Sequence, residues 1–116
     1  MLSAYPACFF KEDNGGYSVV FPDLNYLATQ GDDLEDATNM AIDCLAGFLH
    51  VSQMDGDIIP PPSQLSDITP QAIIKELEIS DPPREAYVNM ISVDAAAYAG
   101  EHFEKAVKET DNYHFM

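Results

Sequence analysis

Apolar residues come in short strand-length runs near the start and late in the chain, and recur every three to four positions in between. From Ser3 to Phe10 aromatic and small residues alternate roughly. A polar, Gly-rich stretch follows, Lys11-Glu12-Asp13-Asn14-Gly15-Gly16, before Tyr17-Ser18-Val19-Val20-Phe21. Two apolar runs joined by a turn of this composition predict a β-hairpin. Pro22-Asp23-Leu24-Asn25 is a second turn by composition, and Tyr26 to Gln30 returns as a third strand, giving an antiparallel three-stranded meander. The period then changes to that of a helix. Leu34, Ala37, Ala41, Cys44, Leu45 and Phe48 fall on one arc, and Glu35, Asp36, Asn39 and Asp43 on the other. Asp32 is the predicted cap of this helix, accepting the Glu35 amide while the Glu35 side chain reaches back; Asp55-Gly56 closes it.

Prolines dominate the next stretch. The run 60–63, Pro60-Pro61-Pro62-Ser63, cannot donate to a sheet ladder and predicts an extended surface strap. Thr69-Pro70 before Gln71 to Leu77 has the cap-then-proline signature of a short helix within 69–78, stopped by Ser80-Asp81-Pro82-Pro83. Tyr87 to Val93 alternates as a fourth strand, Asp94 caps a last helix over 94–109, and Thr110 to Met116 is expected to fray. The expected fold class is α+β: a meander core over 3–60 plus the fourth strand (87–93), covered by helices, in a single domain spanning 1–116.

Composition narrows the function. The 116 residues include 20 acidic and five basic side chains, a formal charge of −15, with 47% hydrophobic residues. The apolar share supports a folded chain, and the length supports one core. A field this negative repels phosphate backbones unless a local basic stripe overcomes it, and Lys11 is the only basic residue before Lys75. Direct nucleic-acid binding is therefore not expected; a basic protein partner is. No apolar run approaches the roughly 20 residues of a membrane span, and the start has neither a basic nor a long apolar segment, so a cytoplasmic location is expected.

Little in the sequence points to catalysis. The carboxylates sit mostly in turns or on the outward helix face, and the first strand carries no acid, so no catalytic residue, metal ligand or cofactor is assigned. His50, His102 and His114 lack metal spacing, Cys8 and Cys44 form no CxxC pair, and Gly15-Gly16 precedes a strand rather than a helix. The candidate surface is the acidic set Asp23, Asp32, Asp33, Glu35 and Asp36 with Tyr17 and Tyr26 as aromatic anchors, residues that ordinary capping and turn chemistry would also explain.

Tyr5-Pro6-Ala7, Gly15-Gly16-Tyr17-Ser18-Val19, Phe21-Pro22-Asp23-Leu24 and Thr29-Gln30-Gly31-Asp32-x-Leu34-Glu35-Asp36-Ala37, followed by Asp55-Gly56-Asp57 and Ile59-Pro60-x-Pro62-Ser63, resemble in order and spacing the HicB-like antitoxin family. The resemblance covers about 60 residues. It implies a partial ribonuclease H-like fold, β-β-β-α-β, and a non-enzymatic role: binding and silencing a small basic HicA-type toxin that cleaves mRNA. Met90-Ile91-Ser92-Val93-Asp94-x-x-x-Tyr98 resembles the strand before the family's C-terminal module. A DNA-binding member carries a basic module there, whereas Ala95 to Met116 holds only Lys105 and Lys108 against Glu101, Glu104, Glu109 and Asp111. The stretch 65–84 is longer than the family pattern leads one to expect. Unpaired sheet edges predict a homo-oligomer, a dimer or tetramer. The alternative reading is a stand-alone RNA-associated or regulatory module that keeps the fold without a toxin.

Overall fold

The computed structural model describes residues 1–103. Four strands, β1 (Ser3–Lys11), β2 (Tyr17–Phe21), β3 (Leu27–Gly31) and β4 (Ala86–Val93), form one antiparallel sheet in the order β3-β2-β1-β4. Three helices accompany it: α1 (Leu34–Asp55), α2 (Pro70–Glu76) and α3 (Ala95–His102). This is the expected mixed architecture, with the meander intact and the fourth strand added beside β1. Of the helix expected over 94–109, α3 runs to His102 with Phe103 as its C-cap; 104–116, the rest of that helix and the tail, lie outside the described residues.

β1 is buried without interruption from Tyr5 to Phe10 because both of its faces are covered. Tyr5, Ala7 and Phe9 join Val19, Phe21, Ile91 and Val93 against Ala37, Ala41, Leu45, Ala46 and Leu49 of α1. Cys8 and Phe10 face the other way, with Val20, onto Ile73 of α2. A strand buried on both faces reads as a continuous apolar run rather than a clean alternation. Pro6 is tolerated in this central strand because the β1–β2 register begins only at Cys8 and Val20. The Lys11 N–H donates to the Glu85 carbonyl at 3.0 Å, so odd-numbered residues of β1 turn their backbone toward β4. Pro6, being even, directs its missing N–H toward the side where β2 has already ended.

Three local expectations shift. The cap of α1 is Asp33, not Asp32: Asp33 Oδ1 accepts the Asp36 amide at 2.7 Å, and Asp36 Oδ2 reaches back to the Asp32 amide at 2.8 Å. The capping box is the predicted one moved along by one residue, since Asp33 and Asp36 carry the same spacing and chemistry as Asp32 and Glu35. β3 begins at Leu27 because Asn25 and Tyr26 both adopt left-handed backbone angles, φ 57° and 60°. Leu34, expected on the inward arc, is 44% exposed, since the buried contacts of α1 start one turn later at Ala37. The C-terminus of α1 does fall at Asp55, where Gly56 at φ 71° closes the helix. Its successor Asp57 then donates its amide to Ser52 O at 2.9 Å.

The junction between β3 and α1 is tight enough to require glycine. A Cβ at Gly31 would lie 2.2 Å from the Ala37 amide nitrogen and 2.4 Å from Ala37 Cα, both backbone atoms of the facing helix. At Gly47 the nearest atom to an added Cβ is Phe103 Cζ at 3.9 Å. Gly31→Ala should therefore destabilise by roughly 1–3 kcal/mol or more through overpacking. Gly47→Ala should stabilise by about 1 kcal/mol through helix propensity. Urea melts of the two variants check the pair, and a wild-type midpoint for Gly31→Ala would contradict the close approach.

Candidate functional site

The turn joining β1 and β2 folds back on itself. The Glu12 N–H donates to Gly16 O at 2.8 Å, the Gly15 N–H to Glu12 O at 3.0 Å, and the Gly16 N–H to Asn14 Oδ1 at 2.9 Å. Gly15 supplies the positive φ of 90° that such a turn needs. Ser18 Oγ, on β2, donates to Glu12 Oε1 at 2.9 Å and fixes that side chain over the end of the sheet. Beside it, the end of β3 and the first turn of α1 bring in Asp32 and Asp36. The result is an open groove of about 440 Å³ lined by Glu12, Asn14, Gly16, Tyr17, Ser18, Gln30, Gly31, Asp32, Asp36 and Met40.

Three carboxylates enter this lining and no cation does. The nearest basic residue in sequence, Lys11, sits 3.7 Å from Glu85 and is not part of the wall. Apolar surface comes from Met40, 40% exposed, and from the Tyr17 ring, which rests edge-on against Tyr87 at 6.3 Å between centroids. Tyr87 is itself stacked on Phe9 at 5.6 Å, so Tyr17 is held by a row of aromatics anchored in the core. Burial, and then the neighbouring Tyr17, raise the Tyr87 phenol above its ordinary pKa. An anionic wall with a half-buried aromatic ring is suited to a cationic side chain, which gains from the carboxylates and from the ring face together.

The seven candidate residues divide between two places. Tyr17, Asp32 and Asp36 line the groove, with Asp33 and Glu35 in the adjoining turn of α1. Asp23 and Tyr26 lie at the opposite end of β2 and β3, and both have intramolecular partners. Asp23 Oδ2 accepts the Ser63 N–H and Asp23 Oδ1 the Ser63 Oγ–H, each at 2.7 Å, which ties the proline strap to the sheet. The Tyr5 hydroxyl, its pKa raised by burial and by the Asp23 charge, donates to Pro60 O from the same side. Tyr26 packs with Ile73, Phe10 and Val20 on the α2 face. Sequence reasoning missed Glu12, Asn14 and Met40. Met40 alone gave a signal, as an apolar residue among the polar positions of the helix.

Nucleophile chemistry finds no support in the thiols. Burial pushes the Cys8 thiol up to about 12, and burial together with Asp43 raises Cys44 as well. Among the described residues no three His, Cys, Asp or Glu side chains come together closely enough to hold a metal ion, and no helix is long and apolar enough to cross a membrane.

Residues 4–75, from β1 through most of α2, match the family model of the HicB_like antitoxin of bacterial toxin-antitoxin system. The chain belongs to the HicB-like antitoxin family. The match runs well into the stretch 65–84, which looked too long for the family in the sequence, and stops short of β4 and α3. Among curated proteins, Antitoxin HicB 1 of Photorhabdus laumondii is 40% identical over 58 residues, covering 50% of this chain but only 37% of that relative. Among solved structures, a chain of a toxin-antitoxin complex from Streptococcus pneumoniae superposes with a TM-score of 0.75 at 28% identity, over 89% of this chain and 76% of that one. A chain of a HicA3 and HicB3 toxin-antitoxin complex gives 0.57 at 20% identity, over 76% and 94%, a likeness of fold.

The Asp23–Ser63 clamp makes a direct prediction for this HicB-like fold. Asp23→Ala removes two charge-assisted hydrogen bonds and should cost about 2–4 kcal/mol. It should also release the strap, which amide exchange at Ser63 reads directly. Protection at Ser63 equal to wild type would show that the clamp does not hold the strap.

Proposed function

We propose that this HicB-like chain is an antitoxin that silences a small basic HicA-type, mRNA-cleaving toxin by masking its surface, without catalysing any reaction itself, in the cytoplasm. The observation that carries the reading is the groove at the β1–β2 turn, whose wall holds three carboxylates, one aromatic ring and no cation. A basic side chain of the toxin seats there, beside the Tyr17 ring and between Glu12, Asp32 and Asp36. The surrounding acidic turn, Asp33 and Glu35, adds to the field that draws the toxin in, as does the net charge of −15.

Roles within the groove follow from its chemistry. Tyr17 supplies buried contact area at small entropic cost, because the ring is already fixed against Tyr87. The carboxylates steer association and fix orientation. Asp23 and Tyr26 serve this function indirectly, by holding the strap and the β2–β3 turn.

Two measurements test the proposal. The double variant Glu12→Gln with Asp32→Asn removes two charges and leaves one side-chain carbonyl oxygen at each position, enough to keep the bond from Ser18 Oγ at position 12. Its association with the toxin, followed by stopped flow at low salt, should slow several-fold, and the deficit should shrink as salt rises. Association unchanged at every salt concentration would remove the groove from the interface. Separately, incubation of the purified chain with RNA and magnesium or manganese should leave the RNA intact; turnover abolished by Asp36→Asn would instead identify a hydrolase.

A further inference from the structure

The sheet has two edges of different character. β3 is five residues long and packs along α1, whereas β4 has eight residues, and among the described residues nothing pairs with its outer side. The hydrogen bond from the Lys11 N–H to Glu85 O sets the phase of the β1–β4 ladder. Backbone groups of an antiparallel pair alternate, so Tyr87, Asn89, Ile91 and Val93 turn theirs toward β1. Ala86, Val88, Met90 and Ser92 turn their N–H and C=O groups outward.

Exposed edges are ordinarily blunted by a charge, a proline, a bulge or a short length. β4 has none of these. Its sequence, Ala-Tyr-Val-Asn-Met-Ile-Ser-Val, is free of charge and proline, and its register against β1 is unbroken from Ser3–Val93 to Phe10–Ala86. In a chain of net charge −15, two copies repel one another over most approaches, and an uncharged edge is where they can meet.

We propose that β4 pairs antiparallel with β4 of a second copy about a two-fold axis normal to the sheet, joining two four-stranded sheets into one of eight strands. Such an axis keeps the helices of both copies on the same side, so opposed residues must share a face and outward-turned residues must meet one another. A pairing centred on any residue of the strand satisfies this, and those centred on Met90 and on Asn89 pair the greatest length of Ala86–Val93. Centred on Met90, the pairing sets Asn89 against Ile91 and Val88 against Ser92, polar against apolar at both levels. Centred on Asn89, it sets Val88 against Met90 and Tyr87 against Ile91, apolar pairs that stabilise a sheet, with the two Asn89 amides facing each other and only the small Ala86 and Ser92 mismatched at the ends. The strand is self-complementary about Asn89, which selects a second copy as its occupant. No residue of β4 lines the groove, whose wall comes from the β1–β2 turn, β2, β3 and α1, so the dimer presents two grooves. This proposal does not depend on the toxin, and its test does not use one.

Sedimentation equilibrium of the full chain at tens of micromolar should give twice the monomer mass. Asn89→Asp opposes two carboxylates at the axis while leaving the monomer fold unchanged, so the dimer should weaken several-fold at pH 7 with the same circular dichroism. In a Cys44→Ser background, Asn89→Cys should oxidise to an inter-chain disulfide, because directly opposed residues of a non-hydrogen-bonded pair have Cα atoms about 4.5 Å apart. Met90→Cys, opposite Val88, should stay unlinked. A monomeric mass would overturn the proposal, and so would a dimer that is indifferent to Asn89→Asp and links through Met90→Cys instead of Asn89→Cys.

Discussion

Two-sided burial of β1 is the constraint on which the rest of the molecule depends. Its odd residues Tyr5, Ala7 and Phe9 pack under α1 and its even residues Cys8 and Phe10 under α2, while its backbone pairs with β2 on one side and β4 on the other. A strand so placed satisfies its polar groups laterally and buries apolar surface above and below. The elements around it are thereby fixed: α1 must carry small residues to approach, and the chain must return after α2 to supply β4. Phe9 and its stacked partner Tyr87 join the two halves of the chain across this strand.

From that core, two close approaches shape the surface. Gly31 lets the start of α1 lie against the end of β3, and Gly16 lets the hairpin turn lie beneath Gly31 O, which an added Cβ would approach to 2.9 Å. Side chains at either position would push α1 and the turn apart. Because there are none, Glu12 of the β1–β2 turn converges on one groove with Asp32 and Asp36 of the junction between β3 and α1, about twenty residues further along the chain. The acidic character of the groove follows from helix chemistry, since carboxylates at the N-terminus of α1 cap amides and suit the helix dipole. A single constellation therefore stabilises the helix and presents negative charge, with Asp36 doing the first through its bond to Asp32 and the second from the groove wall.

At the other end of the sheet the same acidic chemistry is turned inward. Asp23 spends both oxygens on Ser63, and the strap of prolines, which cannot enter a ladder, is held by a side chain instead. The Phe21-Pro22-Asp23-Leu24 and Ile59-Pro60-x-Pro62-Ser63 pieces, which look unrelated along the chain, are thus partners in space.

The sequence by itself determined the elements and their chemistry: a meander, a long helix ending at Gly56, a capped short helix, a fourth strand, and a family resemblance resting on the order of these pieces. These are short-range properties, set by periodicity, capping and turn residues. Which carboxylates act together was decided only by the tertiary structure. Asp23 and Asp32 looked equivalent along the chain, yet β2 and β3 carry them to opposite ends of the sheet, and Glu12 enters beside Asp32 through hairpin geometry that no local pattern encodes. The placement of β4 beside β1, more than seventy residues away along the chain, likewise depends on both faces of β1 being covered at once. The phase of its open edge depends on one long-range backbone bond, from Lys11 to Glu85.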